Sequence, residues 1–157
     1  MGTELLDTAT SESTQMAIRI LIADDHTLVR QSLAMFLRDQ SDMEVVGEAR
    51  DGFTVVGMIR TLRPDVVIMD ISMPILNGID ATRWVYRQWP DVRIIALSMH
   101  SQPHYVKEML NAGARGYLLK DCDYEELLAA IRVVAGGGIY LCPGLDYDAP
   151  QGQRQGE

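Results

Sequence analysis

The chain lacks any apolar run approaching the roughly 20 residues of a membrane-spanning helix. Met1 to Gln15 is polar and acidic and lacks a basic region followed by an apolar one, so it does not read as a signal peptide. Cysteine is scarce. Cys122 and Cys142 are the only two in 157 residues, without metal-ligand spacing, and they read as free thiols in a reducing, cytoplasmic setting. Positive charge is also short: 14 Lys and Arg against 22 Asp and Glu leave a net charge of −8. An acidic chain repels a phosphate backbone, which makes it a poor nucleic-acid binder by itself. No internal repeat is visible.

What is present fits one ordinary domain. Hydrophobic residues make up 47% and charged residues 23%, the balance of a soluble globular chain and not of a disordered or fibrous one. A core of this size buries roughly 68% of the unfolded chain's surface without a disulfide or metal staple. Residues 1–16 read as a flexible tail, with Met16 as an alternative start, because folded sequence begins just after it. Residues 139–157 read as a second tail or the start of a linker.

Between the tails, short apolar runs alternate with helical periodicity. Ile18 to Ala23 is a first strand that stops at Asp24-Asp25. Val29, Leu33, Phe36 and Leu37 then mark a helix face. Met43–Ala49 reads as a strand, and Val55, Val56, Ile59 and Leu62 as the apolar side of a helix that Pro64 stops. Asp65–Met69 is a third strand, 78–88 a helix, 92–97 a fourth strand, 103–112 a helix and 116–119 a fifth strand. Asp123 and Glu126 form a capping-box pattern before a last helix with Tyr124, Leu127, Leu128, Ile131 and Val134 as its stripe. Five such β-α units predict an α/β fold: a doubly wound, five-stranded parallel sheet with helices on both faces.

In such sheets the ligand site lies beyond the carboxyl ends of the strands. Asp24 and Asp25 follow strand one, Asp70 follows strand three, Ser98 strand four and Lys120 strand five. Three carboxylates packed together repel one another unless a cation is present. A hard ion such as Mg²⁺ takes oxygen ligands, leaving Lys120 and Ser98 to hold further oxygens of a phosphoryl group. Each residue alone has an ordinary role, as a helix cap, a turn residue or a surface charge. Their joint placement at strand ends carries the reading.

The motifs Ile22-Ala23-Asp24-Asp25-His26, Val67 to Pro74 with Gly78, Ala96-Leu97-Ser98 and Gly116 to Lys120 resemble the receiver domain of bacterial two-component response regulators. The resemblance runs over 17–138, and Leu97-Ser98-Met99-His100 and Gly137 to Leu141 are most similar to its NarL/FixJ (LuxR-type) branch. It implies a flavodoxin-like, CheY-like fold and phosphorelay signalling. By resemblance Asp70 is the phosphoacceptor, and Asp24, Asp25, Asp70 and the backbone carbonyl of Ser72 hold Mg²⁺ (or Mn²⁺). Ser98 and Lys120 contact the phosphoryl group, and Tyr117 is the aromatic switch. The implied partners are a sensor histidine kinase and a second copy of the chain on phosphorylation. DNA is reached only through an output domain for which this chain has no sequence, and a stand-alone receiver is the alternative. Asp121 follows Lys120 where many receivers have proline, which leaves that loop's path open.

Other classes fit less well. Haloacid-dehalogenase-type phosphatases place a second Asp two residues past the nucleophile, and Ser72 stands there. A dinucleotide site wants glycines after strand one, where Asp24-Asp25 would repel phosphate. The switch is accordingly read as self-modifying and not as a turnover enzyme. His100 and His104 read as surface histidines, Trp84 and Trp89 as helix-face packing, and the nine methionines as core filling.

Overall fold

The computed structural model describes residues 17–145. The tail expected over 1–16 therefore lies outside the described residues, as do 146–157 of the second one. Strands β1 (Ile18–Ala23), β2 (Met43–Ala49), β3 (Val66–Asp70), β4 (Arg93–Ser98), β5 (Gly116–Leu119) and β6 (Tyr140–Leu141) form one sheet in the order β2-β1-β3-β4-β5-β6. All the pairings are parallel. Between them run α1 (Thr27–Arg38), α2 (Gly52–Leu62), α3 (Gly78–Gln88), α4 (Pro103–Ala112) and α5 (Tyr124–Ala135).

The alternation of side chains along each strand sorts the core into two layers. Leu21 and Ala23 of β1 pack with Val55, Ile59, Val85, Val106 and Met109, under α2, α3 and α4. Ile20 and Ile22 of the same strand pack with Leu33, Leu37, Leu127, Ile131 and Val134, under α1 and α5. The central strand β3 is buried along its whole length, which is why its sequence is a continuous apolar run instead of an alternating one. Burial of Ile20, Leu21 and Ile22 is complete. At about 25 cal/mol per Å² of apolar area, such side chains each contribute roughly 1.5–3 kcal/mol.

The sheet has six strands where the sequence predicts five. The additional one, β6, is two residues long, and Tyr140 N–H donates to Arg115 C=O at 3.0 Å while Cys142 N–H donates to Tyr117 C=O at 3.1 Å. Two residues before Pro143 are too short to show a period of two, so this edge strand was invisible to pattern reading. The capping box of α5 forms only in one direction: Asp123 Oδ1 accepts from Glu126 N–H at 2.8 Å. Glu126 Oε1 has no partner among the described residues. Trp84 is a further departure, because it is 50% exposed instead of packed.

Candidate functional site

The strand order reverses at β1, whose neighbours β2 and β3 lie on opposite sides of it. A crevice therefore opens beyond the carboxyl ends of β1 and β3. Asp24 and Asp25 leave β1 there, and Asp70 is the last residue of β3. Asp24 and Asp70 are only 1% and 3% exposed. The Asp25 side chain is 36% exposed.

The ordinary roles of these residues are not the ones they fill. The cap position of α1 is His26, whose side chain makes no capping bond, so the two aspartates are not caps. The cap position of α4 is Gln102, so Ser98 is not one either. The Lys120 side chain is 9% exposed and reaches Asp24 Oδ2 at 2.9 Å and Asp70 Oδ2 at 3.4 Å. The contact is ionic: neither oxygen receives a hydrogen bond of good geometry among the described residues.

One lysine does not offset this much buried negative charge. Burial and the neighbouring Asp24 carboxylate push the Asp70 carboxyl up from 3.8 to about 6, against the pull of Lys120 and of the Ser72 amide. Burial also disfavours the Lys120 ammonium, but its close contacts with the Asp24 and Asp70 carboxylates outweigh that and raise it. Asp25 Oδ1 is a buried oxygen without a hydrogen-bond partner among the described residues. Ligand atoms of Asp24, Asp25, His26 and Asp70 lie within 4.8 Å of one another. Oxygen-rich donors with unneutralised charge and unpartnered lone pairs fit a hard divalent cation.

The other site residues from the sequence surround this cluster. Ser72 N–H donates to Asp70 Oδ1 at 3.3 Å. Ser98 is buried at the end of β4, and its C=O accepts from Lys120 N–H at 2.8 Å, which ties the ends of β4 and β5 together. A cleft of about 200 Å³ lies among Ser98, Ser101, Lys120 and Asp121. Tyr117 is not in the charged cluster. It is fully buried beneath it, and its hydroxyl donates to His100 C=O at 2.6 Å. His100 N–H in turn donates to Ser98 Oγ at 2.9 Å, so Ser98 and Tyr117 are linked through one residue's backbone.

Two contributors escaped the sequence reading. Arg30 on α1 is 8% exposed, and its Nη1 donates to Asp24 C=O at 2.7 Å while its Nε donates to Glu48 at 3.2 Å. It fixes the backbone that presents Asp24. His26 Nδ1 lies 3.1 Å from Asp24 Oδ1 and 3.3 Å from Asp25 Oδ1. A lone Arg or His in a helix's first turns carries no periodic signal. The offset of six between Asp24 and Arg30 becomes meaningful only once the loop is folded.

Fold and site together define a doubly wound α/β domain with a cation-ready acidic pocket and a buried lysine at one sheet edge. Residues 20–132 match the model of the response regulator receiver domain. The transcriptional regulatory protein DegU of Brevibacillus brevis is 43% identical over 126 residues, covering 80% of this chain and 53% of that protein. The oxygen regulatory protein NreC of Staphylococcus carnosus is 41% identical over 127 residues, covering 80% and 58%. The crystal structure of a LuxR-family two-component response regulator from Aurantimonas sp. superposes with a TM-score of 0.79 at 32% identity, covering 82% of this chain and 92% of that one. The chain belongs to the response regulator receiver family, in its NarL/FixJ branch. It spans little more than half the length of these two curated relatives. No helix of the described residues is long and apolar enough to cross a membrane.

Proposed function

We propose that residues 17–138 are the phosphoacceptor unit of a two-component response regulator, cytoplasmic, and that Asp70 receives the phosphoryl group. The observation that carries this reading is the Asp70 carboxylate: buried at the end of β3, flanked by Asp24 and Lys120, and left electrostatically under-compensated. An Asp70 oxygen forms a P–O bond as the P–N bond of a kinase phosphohistidine breaks. The leaving imidazole keeps the electron pair and takes a proton from solvent. Asp24, Asp25, Asp70 and the Ser72 carbonyl would hold Mg²⁺, which supplies positive charge for the transferring phosphoryl oxygens. Lys120 neutralises oxygen on the opposite side, and Ser98 donates its hydroxyl. Loss of the acyl phosphate to water resets the protein, so it acts as a switch and not by turnover on a separate substrate.

The backbone link from Ser98 through His100 to Tyr117 supports a role for Tyr117 in coupling site to surface. A hydroxyl drawn toward a phosphoryl oxygen gives up its contact with the His100 amide, which frees the carbonyl that Tyr117 bonds. Such a local change biases a two-state element. The named relatives are transcriptional regulators longer than this chain, and on that basis the switch controls a DNA-binding output domain, with a sensor histidine kinase as donor and a second copy as partner.

Intact mass after incubation with acetyl phosphate tests the reading. A gain of one phosphoryl group that requires Mg²⁺ and is absent in Asp70→Asn is the expected result. Full labelling of Asp70→Asn would overturn the assignment.

A further inference from the structure

We infer that His26 is a ligand of the divalent cation, through Nδ1, and that this nitrogen raises the affinity of the site for Co²⁺ relative to Mg²⁺. This rests on the cation-binding reading of the acidic pocket above and adds a donor to it.

The Asp24 carboxylate is divided between two neighbours. Its Oδ2 faces Lys120, and its Oδ1 faces His26. Asp25 contributes Oδ1 to the same side, at 3.3 Å from the imidazole nitrogen, and that oxygen has no hydrogen-bond partner among the described residues. Three donor atoms, two oxygens and one nitrogen, therefore lie close together beside the carboxylate that faces the lysine.

Their separations match a coordination polyhedron. In an octahedral site with bonds of about 2.1 Å, neighbouring ligands lie about 3.0 Å apart and opposite ones about 4.2 Å. The Nδ1 to oxygen distances are 3.1 and 3.3 Å, the edge length of such a polyhedron. All four residues' donor atoms fall within 4.8 Å of one another, near the span of its diagonal.

The close contacts of His26 Nδ1 are with these same carboxylates, Asp24 Oδ1 being within hydrogen-bond reach. His26 occupies the cap position of α1, yet its ring makes no capping bond. Its backbone N–H donates to Asp24 Oδ1 at 2.8 Å, which holds the residue against the carboxylates whatever its ring does. The side chain is 63% exposed, so a tautomer with its proton on Nε2 keeps that proton in water. Its Nδ1 lone pair then points where a proton otherwise bridges to the carboxylates. A cation bonded to the nitrogen and both oxygens would lie off the lines that join them and would offset the carboxylate charge.

Ligand chemistry sets what that nitrogen changes. Carboxylate and carbonyl oxygens suit Mg²⁺ and Mn²⁺, whereas an imidazole suits the later first-row ions, so the contribution of His26 is read in the loss of Co²⁺ affinity relative to Mg²⁺ when it is replaced.

The test uses the purified chain with Mg²⁺, Mn²⁺ and Co²⁺ as probes, calorimetry for affinity, and pulsed electron spin echo on the Mn²⁺ form for the nitrogen. The expected result is histidine-nitrogen modulation of bound Mn²⁺ that changes from ¹⁴N to ¹⁵N on histidine labelling and vanishes in His26→Gln. In that variant Co²⁺ affinity falls about tenfold or more, and Mg²⁺ affinity moves less. Bound Mn²⁺ that is lost in Asp25→Asn but shows no histidine nitrogen overturns the proposal and leaves the carboxylate site standing. Modulation that persists in His26→Gln overturns it in favour of another histidine. Binding undiminished in Asp25→Asn, or no binding of any of the three ions, overturns the cation-site reading and this proposal with it.

Discussion

The two edges of the sheet carry similar residues and treat them oppositely. At the amino edge, Arg132 holds Asp42 through two bonds of 2.9 and 3.2 Å. Arg19 lies against the Leu62 and Arg63 carbonyls, and its own N–H donates to Asp65 at 2.8 Å. Each charge has a partner, and the Asp42 carboxyl is held below the ordinary value by its bond from Arg132. At the carboxyl edge, Asp24 and Asp70 are buried side by side with one lysine between them, and the Asp70 carboxyl is pushed up to about 6. The same residue type shifts in opposite directions because burial and a like charge outweigh the cation in one place and not in the other. Where charges are paired and hydrated they are nearly neutral for stability. Where they are buried and crowded, the fold holds them at a cost that a cation can relieve.

The largest effect expected at the carboxyl edge is Arg30→Met. It leaves Glu48 without its Nε donor and the Asp24 carbonyl without its Nη1 donor. Glu48 is partly exposed and keeps Arg38 at 3.5 Å, so the expected loss is that of two charge-assisted hydrogen bonds, about 3 kcal/mol. Urea denaturation reads this directly. A loss no larger than that of an exposed substitution would mean that the carboxyl edge is not held by its buried charges.

Asp70→Asn is expected to work in the other direction. The folded carboxyl titrates near 6 against an ordinary 3.8, so the folded state binds the proton more tightly. The stability this gives is fully present below about 3.8 and is lost as pH rises through about 6. Asparagine carries no charge at any pH. In metal-free buffer the variant should therefore gain at most about 3 kcal/mol over the wild type at pH 7.5, shrinking toward zero near pH 4. A gain that does not depend on pH would sink the electrostatic account.

Close packing against the backbone of the same residue gives a third, smaller effect. A Cβ at Gly78 would collide with the Asp70 carbonyl oxygen, so the start of α3 and the end of β3 must move apart in Gly78→Ala. Overpacking of this kind costs typically about 1–3 kcal/mol. The displaced strand end should also slow labelling by acetyl phosphate more than the lost stability explains.

This contrast bears on what was legible beforehand. Strands β1 and β3 to β5 announced themselves as apolar runs, and the residues that end them pointed at one edge. That was enough to bring Asp24, Asp25, Asp70, Ser98 and Lys120 together, because topology and not side-chain contact makes that prediction. The partners that tune those residues were not legible. Arg30 and His26 sit among polar residues of α1 and its cap, and their roles depend on where the Asp24 loop turns. Surface detail was harder still. Tyr124 belongs to the apolar stripe of α5, yet it is 47% exposed and stacks on Phe36 with ring centroids 4.1 Å apart. Met69 and Met109 fill the core as expected, whereas Met35 and Met99 are more than 70% exposed. Periodicity says which face a residue is on, and not how far the neighbouring element covers it.

The amino edge supplies the smallest effect and the control for the rest. Asp42→Asn removes the Arg132 pair, both members of which lie nearly half exposed. Exposed pairs of this kind are screened by salt and offset by side-chain entropy. The Asp42 carboxyl is held low, so its stabilisation is present above 3.8 and is lost as pH falls through its folded value, the reverse of Asp70. The variant should denature at the wild-type midpoint, within error, in 1 M salt at pH 7. At low salt any small deficit should disappear on acidification instead of growing. If Asp42→Asn proved as costly as Arg30→Met, the difference between the edges would lie in neither burial nor crowding, and the raised carboxyl of Asp70 would need another cause.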